Sequence, residues 1–230
     1  MNPSTLIVVS FIASLQLAVG AVAARADTAS PALVWNFDRE QPGTIPSEFS
    51  IGTLFDGRPA GDWQVLATDR AKSPPYVLAQ LMAKGAEHAY KVVLLKEVTA
   101  SDLNLEVSFW PIQGRADMGG GLIWRATDDR NYYLTRANPL EQNIRVYRVV
   151  NGIRHLLKNF DQTITVKQWH TLRVIHQNCH MNIFYDNKQV FDLCDKTFHD
   201  GMIGLWTKSD AVTYFDDFQL QHLKSPQPRQ

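Results

Sequence analysis

Three short stretches of the sequence gather side chains that can do chemistry. The first holds Arg125, Tyr132, Tyr133 and Arg136, on two strand-like runs joined by residues 127–130. Strand alternation turns Tyr133 away from Tyr132 and Arg136, so one of the two sets faces outward. The second is the loop 138–143, where Asn138, Glu141 and Asn143 offer amides and a carboxylate to a sugar's hydroxyls. The same loop also reads as a plain solvated hairpin connection. The third is Trp206 with Lys208 and Asp210, an aromatic face beside a cation and a carboxylate at the end of a strand. Such a Trp stacks on a sugar ring or fills a core. None of the three identifies a reaction by itself.

Several chemistries are excluded outright. The sequence has no G-x-S-x-G elbow, phosphate-binding loop, H-E-x-x-H or C-x-x-C. His176 and His180 are four apart, but Asn178 and Cys179 between them read as a turn. Both are expected on a sheet surface rather than on zinc.

The elements that must position these residues are strands. In Leu103-Asn-Leu-Glu-Val-Ser-Phe109 every odd position is apolar and every even one polar. Residues 169–176 alternate more loosely. Residues 121–126, 131–137, 144–150, 202–206 and 213–221 are strand-length runs bounded by turn chemistry such as Asn138-Pro139, Asn151-Gly152 and Asp200-Gly201. Residues 77–89 read either as a helix or as a strand over 77–83. Many short strands with regular turns predict an all-β antiparallel sandwich, one domain over residues 31–223.

One register follows from a turn. Asp186-Asn187 is a two-residue hairpin signal that pairs Tyr185 with Lys188. Carried back residue by residue, it sets Cys179 opposite Cys194, within bonding reach. These are the chain's two cysteines. A disulfide is expected, with two buried free thiols as the alternative.

Composition narrows the partners. Lys plus Arg is 23 and Asp plus Glu is 23 among 230 residues. A neutral chain without basic runs does not bind nucleic acid as its main partner. Apolar residues reach 45%, enough for a packed core. Residues 6–24 are apolar and end in two small-residue cleavage sites, after Ala23 and after Ala26, the layout of a signal peptide over 1–26. An uncleaved anchor is the other reading. Once cleaved, the chain is expected to be secreted or periplasmic and free of the membrane, with residues 224–230 a frayed tail.

At the chemical clusters the sequence resembles a known group. Gly120-Gly-Leu-Ile-Trp-Arg125, Asp129-Arg-Asn-Tyr-Tyr133, the stretch Arg136 to Asn143, Tyr147 with Asn151-Gly152, and residues 204–218 are similar to exported bacterial proteins of the 3-keto-disaccharide hydrolase domain family. That group, sometimes labelled family-16 glycoside hydrolase-like, implies a two-sheet jelly roll of the concanavalin A and laminin G kind. The likeness runs from about Val34 to Leu220 and favours a strand at 77–83. Family-16 hydrolases need E-x-D-x-x-E on one strand, with carboxylates about 5 Å apart for retaining chemistry. The sequence has no such pattern, and Asp216-Asp217 on a strand face opposite ways.

The 3-keto reading asks for less. A ketone at C3 acidifies the C2 proton, so one base can expel the C1 substituent by β-elimination, and water then adds to the enone. That needs a base and a donor for the enolate oxygen. The resemblance and the residue types suggest Glu141 as the base and Arg136 and Lys208 as enolate stabilisers. Tyr133 and Trp206 would form the platform, with Arg125, Asn138, Asn143 and Asp210 touching hydroxyls. Related jelly rolls also imply calcium near the last strand, here through Asp216 or Asp217 with Asp38; no organic cofactor is expected. Three functions stay open: this enzyme, a non-catalytic glycan-binding module, and a structural envelope or adhesion domain. All but the last take a carbohydrate as partner.

Overall fold

Alternating runs in the sequence become strands, and the turn residues end them. The computed structural model describes residues 30–224. The expected signal segment and the tail from residue 225 lie outside the described residues. In chain order the strands are β1 (Leu33–Trp35), β2 (Phe49–Ile51), β3 (Trp63–Ala67), β4 (Tyr76–Gln80) and β5 (Tyr90–Thr99). Next come β6 (Leu103–Gln113), β7 (Gly120–Asp128), β8 (Asn131–Asn138), β9 (Asn143–Val150) and β10 (Ile153–Asp161). The last are β11 (His170–Gln177), β12 (His180–Tyr185), β13 (Lys188–Cys194), β14 (Met202–Lys208) and β15 (Val212–His222). Among the described residues no helix is long and apolar enough to cross a membrane.

The strands form two antiparallel sheets packed face to face. One has the order β13-β12-β11-β6-β15-β4-β3, with β1 also on β15; the other runs β10-β9-β8-β7-β14-β5-β2. Period two decides what lies between them. Leu103, Leu105, Val107 and Phe109 of β6 are fully buried there, with Leu122 and Trp124 of β7, Ile144 and Val146 of β9, and Ile203 and Leu205 of β14. The ambiguous segment is strand β4, ending at Gln80. The Gln80 amide caps it by donating to the Ala211 carbonyl at 2.6 Å.

The hairpin behaves as its turn predicts, with one correction. Asp186 and Asn187 both adopt positive φ (45° and 65°), as a primed two-residue turn requires. Tyr185 pairs with Lys188, but a bulge between Ile183 and Phe184 shifts the register, so Cys194 lies opposite His180 rather than Cys179. The disulfide forms all the same, with Cα atoms 4.8 Å apart, because Cys179 occupies the preceding turn.

A second bulge overturns an alternation argument. The ladder between β15 and β6 breaks between Asp216 and Gln219, and Asp217 has φ 48°. Asp216 and Asp217 therefore do not point apart: both reach the Ser73 hydroxyl, at 3.1 and 2.9 Å.

Candidate functional site

The seven-stranded sheet has a second apolar layer on the side away from the other sheet. Val92, Leu94, Ile123, Tyr132, Leu134, Tyr147, Val149 and Trp206 pack there, with Tyr90 against them. All come from positions alternate to the inter-sheet core, so the middle strands are apolar on both faces. A strand apolar on both faces must be covered on both. Two devices cover it.

The first is the loop after β2. Thr53 N–H donates to Asp129 at 2.6 Å, and the Phe55 ring lies 5.0 Å from the Arg130 guanidinium. Phe55 also rests on Gly152, where a Cβ would come within 2.7 Å of the ring. Gly152 has φ 78°, so only glycine fits this turn comfortably. The loop thus runs from the β2 edge of the sheet to the β9–β10 turn at the other.

The second is Arg154. Its guanidinium leaves the edge strand β10 yet lies 4.9 Å from the ring centres of Tyr147 (β9) and Tyr90 (β5), and 5.7 Å from Trp206 (β14). In a flat sheet β10 and β5, five neighbours apart in the strand order, would stand roughly 24 Å apart at ~4.8 Å per strand. One side chain bridges them because the sheet curls into a trough. Along it runs a groove of about 730 Å³ lined by Phe55, His88, Tyr90, Arg145, Tyr147 and Arg154 among others. A smaller cavity of about 270 Å³ adjoins it through Phe55 and His88, beside Met82 and Lys91. Burial lowers the Lys91 ammonium to about 8, and its Nζ donates to the Met82 carbonyl.

A polar network closes one end of the trough. Arg136, buried on β8, donates to Asn143 Oδ1 at 2.6 Å and to Glu141 Oε2 at 2.9 Å. Arg145, one strand over, holds the same Glu141 oxygen at 2.8 Å. Asn138 fixes the loop, its Oδ1 accepting from the N–H groups of Leu140 and Glu141, and its amide donates to Asp117 at 3.2 Å. Lys208 Nζ stands 3.4 Å from Asp117. Asp210 accepts the backbone N–H groups of Arg115, Ala116 and Asp117, which places Asp117 in the network. Gly121 lies between Arg136 and Trp206 in the ladder, and a Cβ there would meet the Thr135 carbonyl at 2.6 Å.

The charges are set by these contacts. Partial burial raises the Glu141 carboxyl, but Arg136 and Arg145 outweigh it and hold the group below the usual carboxylate range. Burial pushes the Asp117 carboxyl up, against the pull of Lys208 and Arg136. Asp117 is thus the more basic carboxylate of the two, and the more deeply buried.

Of the residues expected at the site, Arg136, Asn138, Glu141, Asn143, Lys208 and Asp210 share this one network. Three others do different work. Tyr133, expected as a platform, faces the inter-sheet core, where it stacks on Trp124 and donates its hydroxyl to Asp195 at 2.6 Å. Alternation allowed either set to face outward; Tyr132 and Arg136 are the outward set. Arg125 is buried with φ 48° at the bulge in β7 and donates to the carbonyls of Ser101, Asn178 and Phe198. Trp206 does lie on the outer face, but only 1% of it is exposed, beneath Tyr90 and Arg154, so it supports the groove without offering a free ring. His176, expected on the surface, is fully buried; its Nδ1 accepts from the Trp124 indole, and burial with the neighbouring Arg125 pushes the ring down to about 3.

Two of the residues expected at calcium, Asp216 and Asp38, already accept donors. Asp216 accepts the N–H groups of Lys72, Ser73 and Asp217 and the Ser73 hydroxyl, so both its oxygens face donors. Asp38 accepts from the Asn36 amide and the Tyr76 N–H. Donors turned toward the carboxylates occupy the places a cation would take. Among the described residues the one group of three or more metal-capable side chains in reach of each other is Cys179, His180 and Cys194, and its sulfurs are spent in the disulfide.

Tyr90, Tyr147, Arg145, Arg154, Phe55, His88 and Asp117 were missed from sequence. Tyr147 and Arg145 carried a signal, since both alternate outward with Asn143 on β9. Arg154 carried none: its importance arises only from the curl that brings β10 over β5.

No protein-family model matches the chain. A stretch of 127 residues, 54% of this chain, is 24% identical to a levanase of Bacillus subtilis (strain 168), and the chain spans only 18% of that protein's length. Among solved structures, a carbohydrate binding module, CBM66, from Bacillus subtilis superposes with TM-score 0.61 at 18% identity, over 77% of this chain and 98% of that one. The exoplasmic/lumenal domain of VIP36, solved with Ca2+ and Man3GlcNAc, superposes with TM-score 0.56 at 10% identity, over 86% and 91%. The chain thus has an all-β jelly-roll fold of two antiparallel sheets, similar to those structures.

Proposed function

We propose that this chain binds a carbohydrate in the trough of its seven-stranded sheet. The observation that carries the reading is one groove where the half-buried Tyr90 ring and the buried Tyr147 ring meet fixed polar groups. Tyr90 and Tyr147 flank it, and Arg145 joins it to the Glu141 network. Sugars present apolar C–H faces to rings and hydroxyls to charged, pre-oriented groups, which is the pairing found here. Similarity in fold to a carbohydrate binding module supports it, and the stretch shared with a levanase makes fructans the first neutral glycans to try. Calorimetric titration with fructan, glucan and uronate oligosaccharides is the test. Tyr90→Ala, at the half-buried ring of the groove, should weaken the best ligand about tenfold or more while the variant still unfolds cooperatively. Wild type that binds none of them overturns the reading.

One observation favours a second reading, cleavage of 3-keto-glycosides. Six residues nominated for that chemistry share one network, with Asp117 and Lys208 as a buried acid–base pair. Against it, Glu141 is kept ionised by two arginines and is a weak base. If Glu141 is nevertheless the base, Glu141→Gln should lower elimination from a 3-keto-glucoside roughly 10²–10⁴-fold. Turnover that survives the substitution moves the role to another residue, and wild type without turnover leaves the binding reading alone.

A further inference from the structure

We infer that the sugar held in the groove carries a carboxylate, gripped by Arg154; this rests on the glycan-binding reading above. Four other arginines of this sheet have acceptors, while Arg130, in the β7–β8 turn outside the groove lining, lies against Phe55. Arg125 donates to Ser101 O at 2.8 Å, Arg136 and Arg145 share Glu141, and Arg148 pairs with Asp195 at 3.1 Å. Arg154, half-buried, has no hydrogen-bond acceptor or ion-pair partner among the described residues and packs against the three rings.

Stacking uses the face of a guanidinium and leaves its N–H rim unspent. Three rings therefore hold the fork in a fixed orientation without satisfying it. The N–H rim faces the solvent of the groove, open to a ligand, and a carboxylate meets such a fork bidentately. The charge of the lining agrees. Arg145 and Arg154 line the groove and no carboxylate does, although the chain as a whole balances 23 cations against 23 anions. The Glu141 carboxylate that touches Arg145 is already shared with Arg136, and lies at the closed end. What the groove lacks is an anion, and a uronate is a sugar that brings one as a planar carboxylate.

The test is titration with galacturonate, glucuronate and mannuronate oligosaccharides, each as the free acid and as its methyl ester. Esterification removes the charge and keeps the sugar. Wild type should bind at least one acid about tenfold or more tighter than its ester, the worth of a charge-assisted hydrogen bond. Arg154→Gln should erase that preference, so that acid and ester bind the variant within about twofold of each other, and Arg154→Lys, which keeps the charge and loses the fork, should retain part of it. Equal affinity for acid and ester, a preference that survives Arg154→Gln, or binding of neutral glycans alone would overturn the carboxylate assignment and leave the glycan reading standing. Binding of no glycan, acid or neutral, overturns both.

Discussion

Single residues in this protein change meaning once their neighbours are known. Glu141 looks like a base in the sequence, and between Arg136 and Arg145 it is an anchor that fixes a loop. Asp216 looks like a cation ligand and is a clamp on residues 72 and 73. Its pKa makes the clamp testable. Burial outweighs four hydrogen bonds and raises the carboxyl from 3.8 to about 6. A raised folded-state value means that the contribution is fully present below about pH 4, where the unfolded carboxyl is also protonated, and is lost as pH rises through about 6. Urea unfolding of wild type and Asp216→Asn across this range should show wild type losing about 2–3 kcal/mol relative to the variant between pH 4 and pH 7. A pH-independent difference would mean that Asp216 titrates normally.

At the scale of elements, alternation and turn chemistry carried most of the information. The strict alternation of Leu103–Phe109 forms the middle of a sheet, and Asp186-Asn187 forms the turn it signals. What alternation could not carry were the bulges. An extra residue at Ile183/Phe184 shifts one register, and the break after Asp216 turns two neighbouring carboxylates the same way. Nor does periodicity mark the edge strand β10, whose exposed residues alternate with nothing. Most of the candidate network was legible, all but Arg145 and Asp117, because it sits largely in contiguous runs such as 136–143. The groove was not, because its rings come from β5 and β9 and its arginine from β10. The hairpin itself makes a prediction. The bond between Cys179 and Cys194 spans 15 residues of sequence. A loop of that size restricts the unfolded chain by about 3 kcal/mol, so Cys194→Ala should lower stability by roughly 2–4 kcal/mol in denaturant titrations under oxidising conditions. A loss near zero would show that the hairpin turn and core already hold the register without the bond.

At the scale of the molecule, two sheets bury one shared core, and the curl of one sheet makes a second apolar layer on its far side. That layer is where a jelly roll gains a site: the Phe55 loop and Arg154 span a trough that is too polar to be core and too ordered to be bare surface. The opposite sheet also shows aromatics, Trp110 packed edge-on against Trp169 at 5.6 Å, but the Trp169 indole is spent on the Arg70 carbonyl. The two surfaces give opposite expectations for where a glycan binds. The measurement that separates them is amide hydrogen exchange of wild type with and without a saturating oligosaccharide, the tightest found by titration. Protection at residues 53–56, 88–91 and 145–154, with β6 and β11 unchanged, is the result this account predicts. Protection confined to the Trp110–Trp169 face, with the trough unaffected, would contradict it.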